Sequence, residues 1–352
     1  MDKEQAKQLL DSFLAKQRVL WYKPIQVAEI LYKKRVEPDS LDILDLETYR
    51  NQSKRWRDAV SKELLGRICT SSARFQDDLF NENAMPPKLL AVLSDENIQT
   101  HGAVEAYIYG QFGNRLSQLS MALSYVEKTS RHDFDVKKFI DSFWSERGLK
   151  RSLDKIYEII VYALFSTLTY ELGLTVEVSV KDDKMALLEE FSDFTKSVML
   201  IDPSSMNHVE EARIYRVGVT NAADRGLDMY ANWGPAIQVK HLALDEELAK
   251  SVVDSVNSDR IVIVCKSAEK GLIVSLLTQI GWKSRIQNVI TEDDLIKWYE
   301  KALRGKFSDK IGNALLLNLR EGIAEEFPQA DNPDIAILSG RHYEKIKDSF
   351  WC

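Results

Sequence analysis

Hydrophobic residues recur every three or four positions through most of the first 150 residues, which is the period of an amphipathic helix. The segments with this spacing are 2–31, 47–68, 103–128 and 135–147. Pro24 and the pair Pro86-Pro87 mark a break and a turn within the region. We therefore predict that residues 1–149 form a largely helical region.

The pattern changes after about residue 149. An apolar helix is predicted over 151–172, with Gly173 as its stop, and helices follow over 267–280 and 291–303. Between them lie short runs rich in β-branched residues or alternating in polarity, which predict strands. These runs are 175–180, 213–220, 227–231, 236–242, 260–265 and 283–290. The fold class expected is α/β, a mixed sheet with helices packed on it.

These patterns divide the chain into three parts. Residues 1–149 are the helical region, expected to serve recognition and dimerisation, and residues 150–305 are the core that contains the sheet. Residues 306–352 add a helix, a short strand over 334–338 and a last helix, as an extension packed on the core.

Charge and cysteine content narrow the possible functions. The formal net charge of −7 argues against a general nucleic-acid-coating protein but leaves room for an enzyme with a local positive cleft. The isolated cysteines Cys69, Cys265 and Cys352 predict neither a disulfide framework nor a zinc site. The chain has no long apolar run and a charged, amphipathic start, so we expect a cytoplasmic protein without a membrane segment.

One segment concentrates the candidate chemistry. Asp228 lies in one candidate strand, Gly234-Pro235 form a turn, and Gln238 and Lys240 lie two positions apart in the next strand. Because residues i and i+2 of a strand share a face, a hairpin would bring all three side chains together. Hydrolysis of a phosphodiester needs a hard cation and an activated water, and Mg²⁺ prefers oxygen ligands such as an aspartate. A nearby lysine can orient or help to deprotonate the water.

This segment resembles the PD-(D/E)XK nuclease signature, in which two acidic residues bind metal and a lysine assists the nucleophilic water. The resemblance implies Asp228 and position 238 as metal ligands and Lys240 as the catalytic lysine. Gln238 departs from the pattern, because an amide oxygen can coordinate Mg²⁺ but contributes no charge. Glu158, in the preceding helix, and Asp224 are the candidates to compensate.

A longer resemblance covers about residues 155–304, which are similar to the HaeII family of type II restriction endonucleases. Residues 221–241, 259–286 and 291–305 carry it. The resemblance implies Mg²⁺-dependent cleavage of double-stranded DNA at a short palindrome, RGCGCY. It also implies a homodimer, with one active site for each strand, and a cognate DNA methyltransferase as genetic partner.

Several residues have both a structural and a DNA-binding interpretation. Arg225 is part of a turn and could contact a phosphate, while Arg55 and Arg57 lie on a basic helix segment that is either a solvated face or a DNA contact. Arg341 follows the last predicted strand and is a candidate to pair with guanine. His241 neighbours Lys240 along the strand and is interpreted as a packed or surface residue.

Two other functions remain open at this stage. A structure-selective repair or junction nuclease could use the same core, and a catalytically inactive DNA-binding protein would explain the missing acid at Gln238. A nucleotide-dependent enzyme is disfavoured, because the chain has no Walker-type phosphate loop.

Overall fold

The chain forms two compact units in the computed structural model, which describes residues 1–17, 21–69, 72–145, 149, 152–217, 227–278, 285–327 and 340–351. Unit 1 comprises the described residues of Met1–Thr129, Lys137–Leu153 and Glu321–Cys352, and unit 2 those of Ser130–Val136 and Asp154–Arg320. The boundary expected after residue 149 lies close to the break after Leu153. The extension expected over 306–352 is divided between the two units.

The described residues of unit 1 form helices and loops, with no strand. Its helices are α1 (Lys3–Ala15), α2 (Tyr22–Val36), α3 (Gln52–Leu65), α4 (Ala73–Phe80), α5 (Pro87–Gln99), α6 (Ala103–Lys128) and most of α7 (Val136–Ser145). Local sequence explains several starts: Asp2 caps α1 by accepting from the backbone N–H of Gln5 at 2.8 Å, and Pro87 occupies the first turn of α5. One apolar cluster packs α1 to α6 together and includes Tyr343 and Trp351 near the C-terminus.

Unit 2 contains all the strands that the structure describes. Its elements are α8 (Leu153–Glu171), β1 (Thr175–Ser179), α9 (Met185–Glu190), α10 (Ser192–Met199), β2 (Asn207–Glu211), β3 (Ile214–Arg216), β4 (Met229–Ala231), β5 (Ala236–Leu244), α11 (Glu246–Ser255), β6 (Ile261–Ala268), α12 (Lys270–Thr278), β7 (Ile286–Thr291), α13 (Glu292–Arg304) and the first turns of α14 (Ser308–Glu326).

The main sheet has five strands in the order β3-β4-β5-β6-β7. The pairs β3–β4 and β4–β5 are antiparallel, whereas β5, β6 and β7 are parallel and are joined through α11 and α12. Parallel strands need such crossover connections, and β6 is buried from Ile261 to Cys265, as expected for a central strand. The predicted α/β class with a mixed sheet and a helical N-terminal region is confirmed.

A separate two-stranded ribbon lies outside this sheet. β1 pairs antiparallel with β2, from Thr175 opposite Glu211 to Ser179 opposite Asn207. The residues between the two strands form α9 and α10. We call residues Thr175–Glu211 the arm. The strand predicted over 175–180 is therefore present, but it belongs to the arm rather than to the main sheet.

Some expectations differ from the structure or lie beyond it. The sequence analysis did not indicate β2, α4, α5, α9, α10 or α11. The strand predicted over 334–338 lies outside the described residues. Within the part of the chain that the structure describes, no helix is long and apolar enough to cross a membrane.

Candidate active site

The hairpin predicted around Asp228 and Lys240 is confirmed. β4 and β5 pair antiparallel, with Met229 opposite Ile237, and Asp228 directly precedes β4. The backbone carbonyl of Asp228 accepts from the N–H of Val217 at 2.9 Å, which continues the ladder with β3. Gly234 makes the turn with φ of 116°, and a side chain there would collide with the guanidinium of Arg260.

The hairpin brings the three candidate side chains to one place. Oδ2 of Asp228 accepts hydrogen bonds from the Gln238 side-chain amide at 2.5 Å and from the backbone N–H of Val239 at 2.7 Å. Nζ of Lys240 lies 4.0 Å from the same oxygen. Gln238 is almost fully buried, whereas the Lys240 side chain retains 36% exposure, so the ammonium can reach a substrate.

The environment of Asp228 disfavours its negative charge in the absence of a cation. Burial raises the pKa of the Asp228 carboxyl, and the positive charge of Lys240 opposes this rise. The N–H of Val239 and the charge of Lys155 oppose it further, while the carboxylate of Asp154 adds to it. A bound cation would therefore stabilise the charged form of Asp228.

Glu158 of α8 adds a second carboxylate to the site. Burial raises the pKa of Glu158, Lys155 lowers it, and the negative charge of Asp228 raises it again, so the two acids interact. Nζ of Lys155 lies 2.6 Å from Glu158 Oε2, and Nε of Arg216 lies 3.5 Å from Oε1. The acid expected from the preceding helix thus lies beside the hairpin in the same unit.

The donor set fits a hard divalent cation. Because the Gln238 amide N–H points to Asp228, its oxygen Oε1 remains buried without a hydrogen-bond partner among the described residues. Oε1 of Glu158 is also buried and accepts no hydrogen bond there, although it has an ion pair with Arg216 at 3.5 Å. Orphaned buried oxygens are costly, and two carboxylates with one amide oxygen are ligands that Mg²⁺ accepts. No group of three or more His, Cys, Asp and Glu side chains with metal-site geometry occurs in the described ranges.

Lys155 and Arg216 are two members of this site that the sequence analysis missed. The spacing of Lys155, three positions before Glu158 and thus about one helical turn away, could have indicated its place in the site. Arg216 lies opposite Met229, the residue that follows Asp228, in the β3–β4 pair. His241, by contrast, is buried as a packed residue. Its Nε2 lies 3.0 Å from Glu292, and its ring meets that of Tyr157 edge-on at 4.7 Å.

The arginines proposed for DNA contact lie in different surroundings. Arg55 is exposed on α3. Arg57 is fully buried and donates to Asp58 at 2.6 and 2.9 Å and to Gln26 at 3.2 Å, so it presents no surface to a phosphate. Arg225, like Asp224, lies outside the described residues.

Arg341 is held inside unit 1. It donates to both carboxylate oxygens of Glu29, at 2.7 and 2.9 Å, and its guanidinium lies 3.6 Å from the ring centroid of Tyr32. Only 12% of its side chain is exposed. The pairing with a carboxylate and the stacking on an aromatic ring leave it poorly placed to reach a guanine edge.

Comparison with known proteins places the chain in a family. The HaeII restriction endonuclease family matches residues 6–343, so the chain belongs to it. The type II restriction enzyme NgoBI of Neisseria gonorrhoeae is 58% identical over 346 residues, 98% of each chain. The type II restriction enzyme HaeII of Haemophilus aegyptius is 53% identical over 348 residues, 99% of each chain. The predicted family, and with it the prediction of an enzyme, is confirmed. No solved structure matches significantly.

Proposed function

We propose that this protein is a Mg²⁺-dependent type II restriction endonuclease with a PD-(D/E)XK core. One observation carries the mechanism: the carboxylate of Asp228, the orphaned amide oxygen of Gln238 and the ammonium of Lys240 meet at one β-hairpin. The strand order, with an antiparallel hairpin followed by two parallel strands and with α8 before it, supports the same assignment. The substrate, double-stranded DNA, follows from the family.

The residues take distinct roles in this proposal. Asp228 and Gln238 Oε1 hold the cation, and Glu158 supplies the second negative charge that Gln238 lacks. Mg²⁺ would neutralise charge on the scissile phosphate and acidify a bound water. Lys240 orients the attacking water and stabilises the charge that develops on it, while Lys155 and Arg216 hold the carboxylate of Glu158 in place.

The remaining features of the proposal come from the family resemblance. The target is the palindrome RGCGCY, which a homodimer would cut with one active site for each strand. The enzyme acts in the cytoplasm beside a DNA methyltransferase that protects the host sequence. Arg55, exposed on α3, and Arg225 remain proposed DNA contacts.

A digest of sequenced plasmid DNA with Mg²⁺ tests the proposal. We expect discrete fragments whose ends map to one palindromic sequence. Asp228→Ala and Lys240→Ala should abolish cutting and retain sequence-specific binding in Ca²⁺, whereas Asp254→Ala, an exposed carboxylate of α11, should cut normally. Cutting by both active-site variants would show that the site is misplaced.

The same cleavage and binding assays, run also on forked and branched DNA, separate the two rival functions. Cleavage of forked or branched DNA with linear duplex left intact would identify a structure-selective nuclease. Specific binding without cleavage under any divalent metal would identify an inactive DNA-binding protein. The amide of Gln238, in place of the usual acid, is the reason to consider this function. The buried carboxylate of Glu158 beside Asp228 favours the active enzyme, because it restores the missing charge.

A further inference from the structure

The strand that carries the candidate lysine has a β-bulge directly after it. β5 and β6 pair in register up to Lys240 opposite Cys265, and the next pair is Ala243 opposite Ser267. Three steps along β5 thus match two steps along β6, so β5 has one extra residue at this point. Bulges between parallel strands are rare, and many bulges lie beside active sites, where they change the direction in which a side chain points.

His241 holds the bulged strand from the side opposite to Lys240. Neighbouring residues of a strand point to opposite faces, and the His241 side chain contacts α8 and α13 rather than the proposed site. It is 2% exposed, and its Nε2 lies 3.0 Å from Oε2 of Glu292 in the first turn of α13. A displacement of either side chain would leave a buried polar atom unpaired, so this contact resists movement of β5.

Tyr157 of α8 completes the contact. Its ring meets that of His241 edge-on, with 4.7 Å between the centroids, and its hydroxyl donates to the backbone carbonyl of Cys265 at 3.2 Å. Cys265 is the residue opposite Lys240 in the β5–β6 pair. Tyr157 is fully buried and therefore holds both strands at the level of Lys240. We call His241, Tyr157 and Glu292 the anchor.

Two of the anchor residues are sequence neighbours of residues that carry the proposed chemistry. His241 follows Lys240 in β5, and Tyr157 precedes Glu158 in α8. The contact between the two rings therefore sets the position of the strand with the lysine relative to the helix with the acid.

We propose that His241 is a positioning residue: with Tyr157 and Glu292 it holds the bulge that directs Lys240 towards the scissile phosphate. The inference rests on the proposed function, in which Lys240 orients the attacking water. The anchor is buried on the side of β5 opposite to Lys240, so it acts on cleavage through Lys240 and Glu158 and not by touching DNA. A misplacement of about 1 Å at the reacting groups can lower a rate ~100-fold.

Single-turnover cleavage with excess enzyme, compared with DNA binding in Ca²⁺, tests this role. We expect Glu292→Ala to lower the cleavage rate constant of the bound complex ~100-fold and to leave the affinity for the target DNA within about twofold. Urea denaturation gives the conditions under which the variant is fully folded. A side chain with only a packing role would lower stability and leave the rate constant of the folded enzyme unchanged.

Matched variants identify the contact that matters. Glu292→Gln keeps an acceptor for His241 and should cut about as fast as the wild type. Asp293→Ala, which removes the exposed carboxylate next to Glu292, should also cut normally. Tyr157→Phe keeps the ring and loses only the hydroxyl, so it folds even if Glu292→Ala does not, and we expect it to cut about fivefold more slowly at unchanged affinity.

The positioning role and the proposed function can fail separately. Folded Glu292→Ala and Tyr157→Phe variants that cut at the wild-type rate, or whose whole loss lies in DNA affinity, overturn the positioning role and leave the nuclease standing. Glu292→Gln that is as slow as Glu292→Ala overturns the anchor, because the hydrogen bond to His241 is then not what is required. A wild type that leaves all DNA intact overturns the proposed function and the role of His241 with it.

Discussion

Two clusters of buried charged side chains, one in each unit, differ in how completely their atoms are paired. In unit 1, Glu29 accepts from Arg341 and from the Tyr109 hydroxyl at 2.6 Å, and Glu105 accepts from Arg35 at 2.6 Å. Both carboxylates are therefore satisfied by neutral or positive donors. This cluster joins Arg341, near the C-terminus, to Glu29 of α2.

The cluster in unit 2 is less complete. Oε1 of Gln238 is buried without a hydrogen bond among the described residues, and Oε1 of Glu158 has an ion pair with Arg216 at 3.5 Å but no hydrogen bond. The negative charge of Asp228 also disfavours the charged form of Glu158. A satisfied buried network stabilises a fold, whereas an unsatisfied one costs stability and persists where a ligand completes it. The comparison therefore supports a structural role for the first cluster and the proposed chemical role for the second.

Asp228→Asn is expected to have the largest effect on cleavage, and it tests most directly whether the cluster of unit 2 serves chemistry rather than stability. The amide oxygen can still accept from Gln238 and Val239, so the fold is kept, but the negative charge is lost. We expect cleavage to fall by at least ~1000-fold, about 4 kcal/mol, with the free energy of unfolding unchanged or higher. Single-turnover cleavage and urea denaturation measure the two quantities. Asp254→Asn is the control, and a large loss of stability in Asp228→Asn would place Asp228 among structural residues.

Glu29→Gln should show the opposite pair of effects. It leaves Arg341, whose side chain is only 12% exposed, without a carboxylate partner, so we expect a loss of about 3–5 kcal/mol of stability. Cleavage by the folded fraction should be unchanged at a temperature where the variant is folded. Glu37→Gln, which removes an exposed carboxylate paired with Lys33, should cost no more than ~0.5 kcal/mol. A folded Glu29→Gln variant that does not cut DNA would contradict a purely structural role for Glu29.

Gln238→Glu introduces the acidic residue that the PD-(D/E)XK signature has at this position. The new carboxylate loses the hydrogen bond to Asp228 and repels it, so the metal-free protein should lose about 1–3 kcal/mol of stability. The Mg²⁺ concentration for half-maximal cleavage should fall ~10-fold, because the site gains a charged ligand. Gln287→Glu, at an exposed position of β7, should change neither quantity. An unaltered Mg²⁺ requirement would remove Gln238 from the ligand set.

The smallest expected effect is on the pH dependence of stability. Burial raises the pKa of Asp228 and of Glu158 above their values in the unfolded chain, so the folded protein binds more protons between the two values. The contribution of these two groups to stability without metal should thus be greatest below the ordinary carboxyl range and fall as pH rises, by roughly 1.4 kcal/mol per pKa unit and group. Urea titrations from pH 4 to 7 should show a shallower slope for Asp228→Asn. Equal slopes would contradict the raised pKa of Asp228.

Local sequence was sufficient for the hairpin and for most helices of unit 1. The two-residue spacing of Gln238 and Lys240 and the Gly234-Pro235 turn fix which side chains meet, because a tight antiparallel connection leaves little freedom of register. The strand predicted over 175–180 was placed in the wrong sheet. Its partner β2 lies about 30 residues away along the chain. The local pattern of apolar residues does not indicate which strands pair with each other.

The sequence by itself determined the α/β class, the hairpin with Asp228 and Lys240, and the family. Tertiary structure alone decided that Gln238 Oε1 has no hydrogen-bond partner among the described residues, that Lys155 joins the site, and that the arm is a ribbon separate from the main sheet. It also decided that Arg57 is buried and that Arg341 is paired with Glu29. The physical reason is the range of the contacts: periodicity and turn chemistry act over a few residues, whereas the partners of Arg57 and Arg341 include Gln26 and Glu29, which lie 31 and 312 positions away. Whether a charged side chain faces solvent or a buried partner depends on such distant contacts.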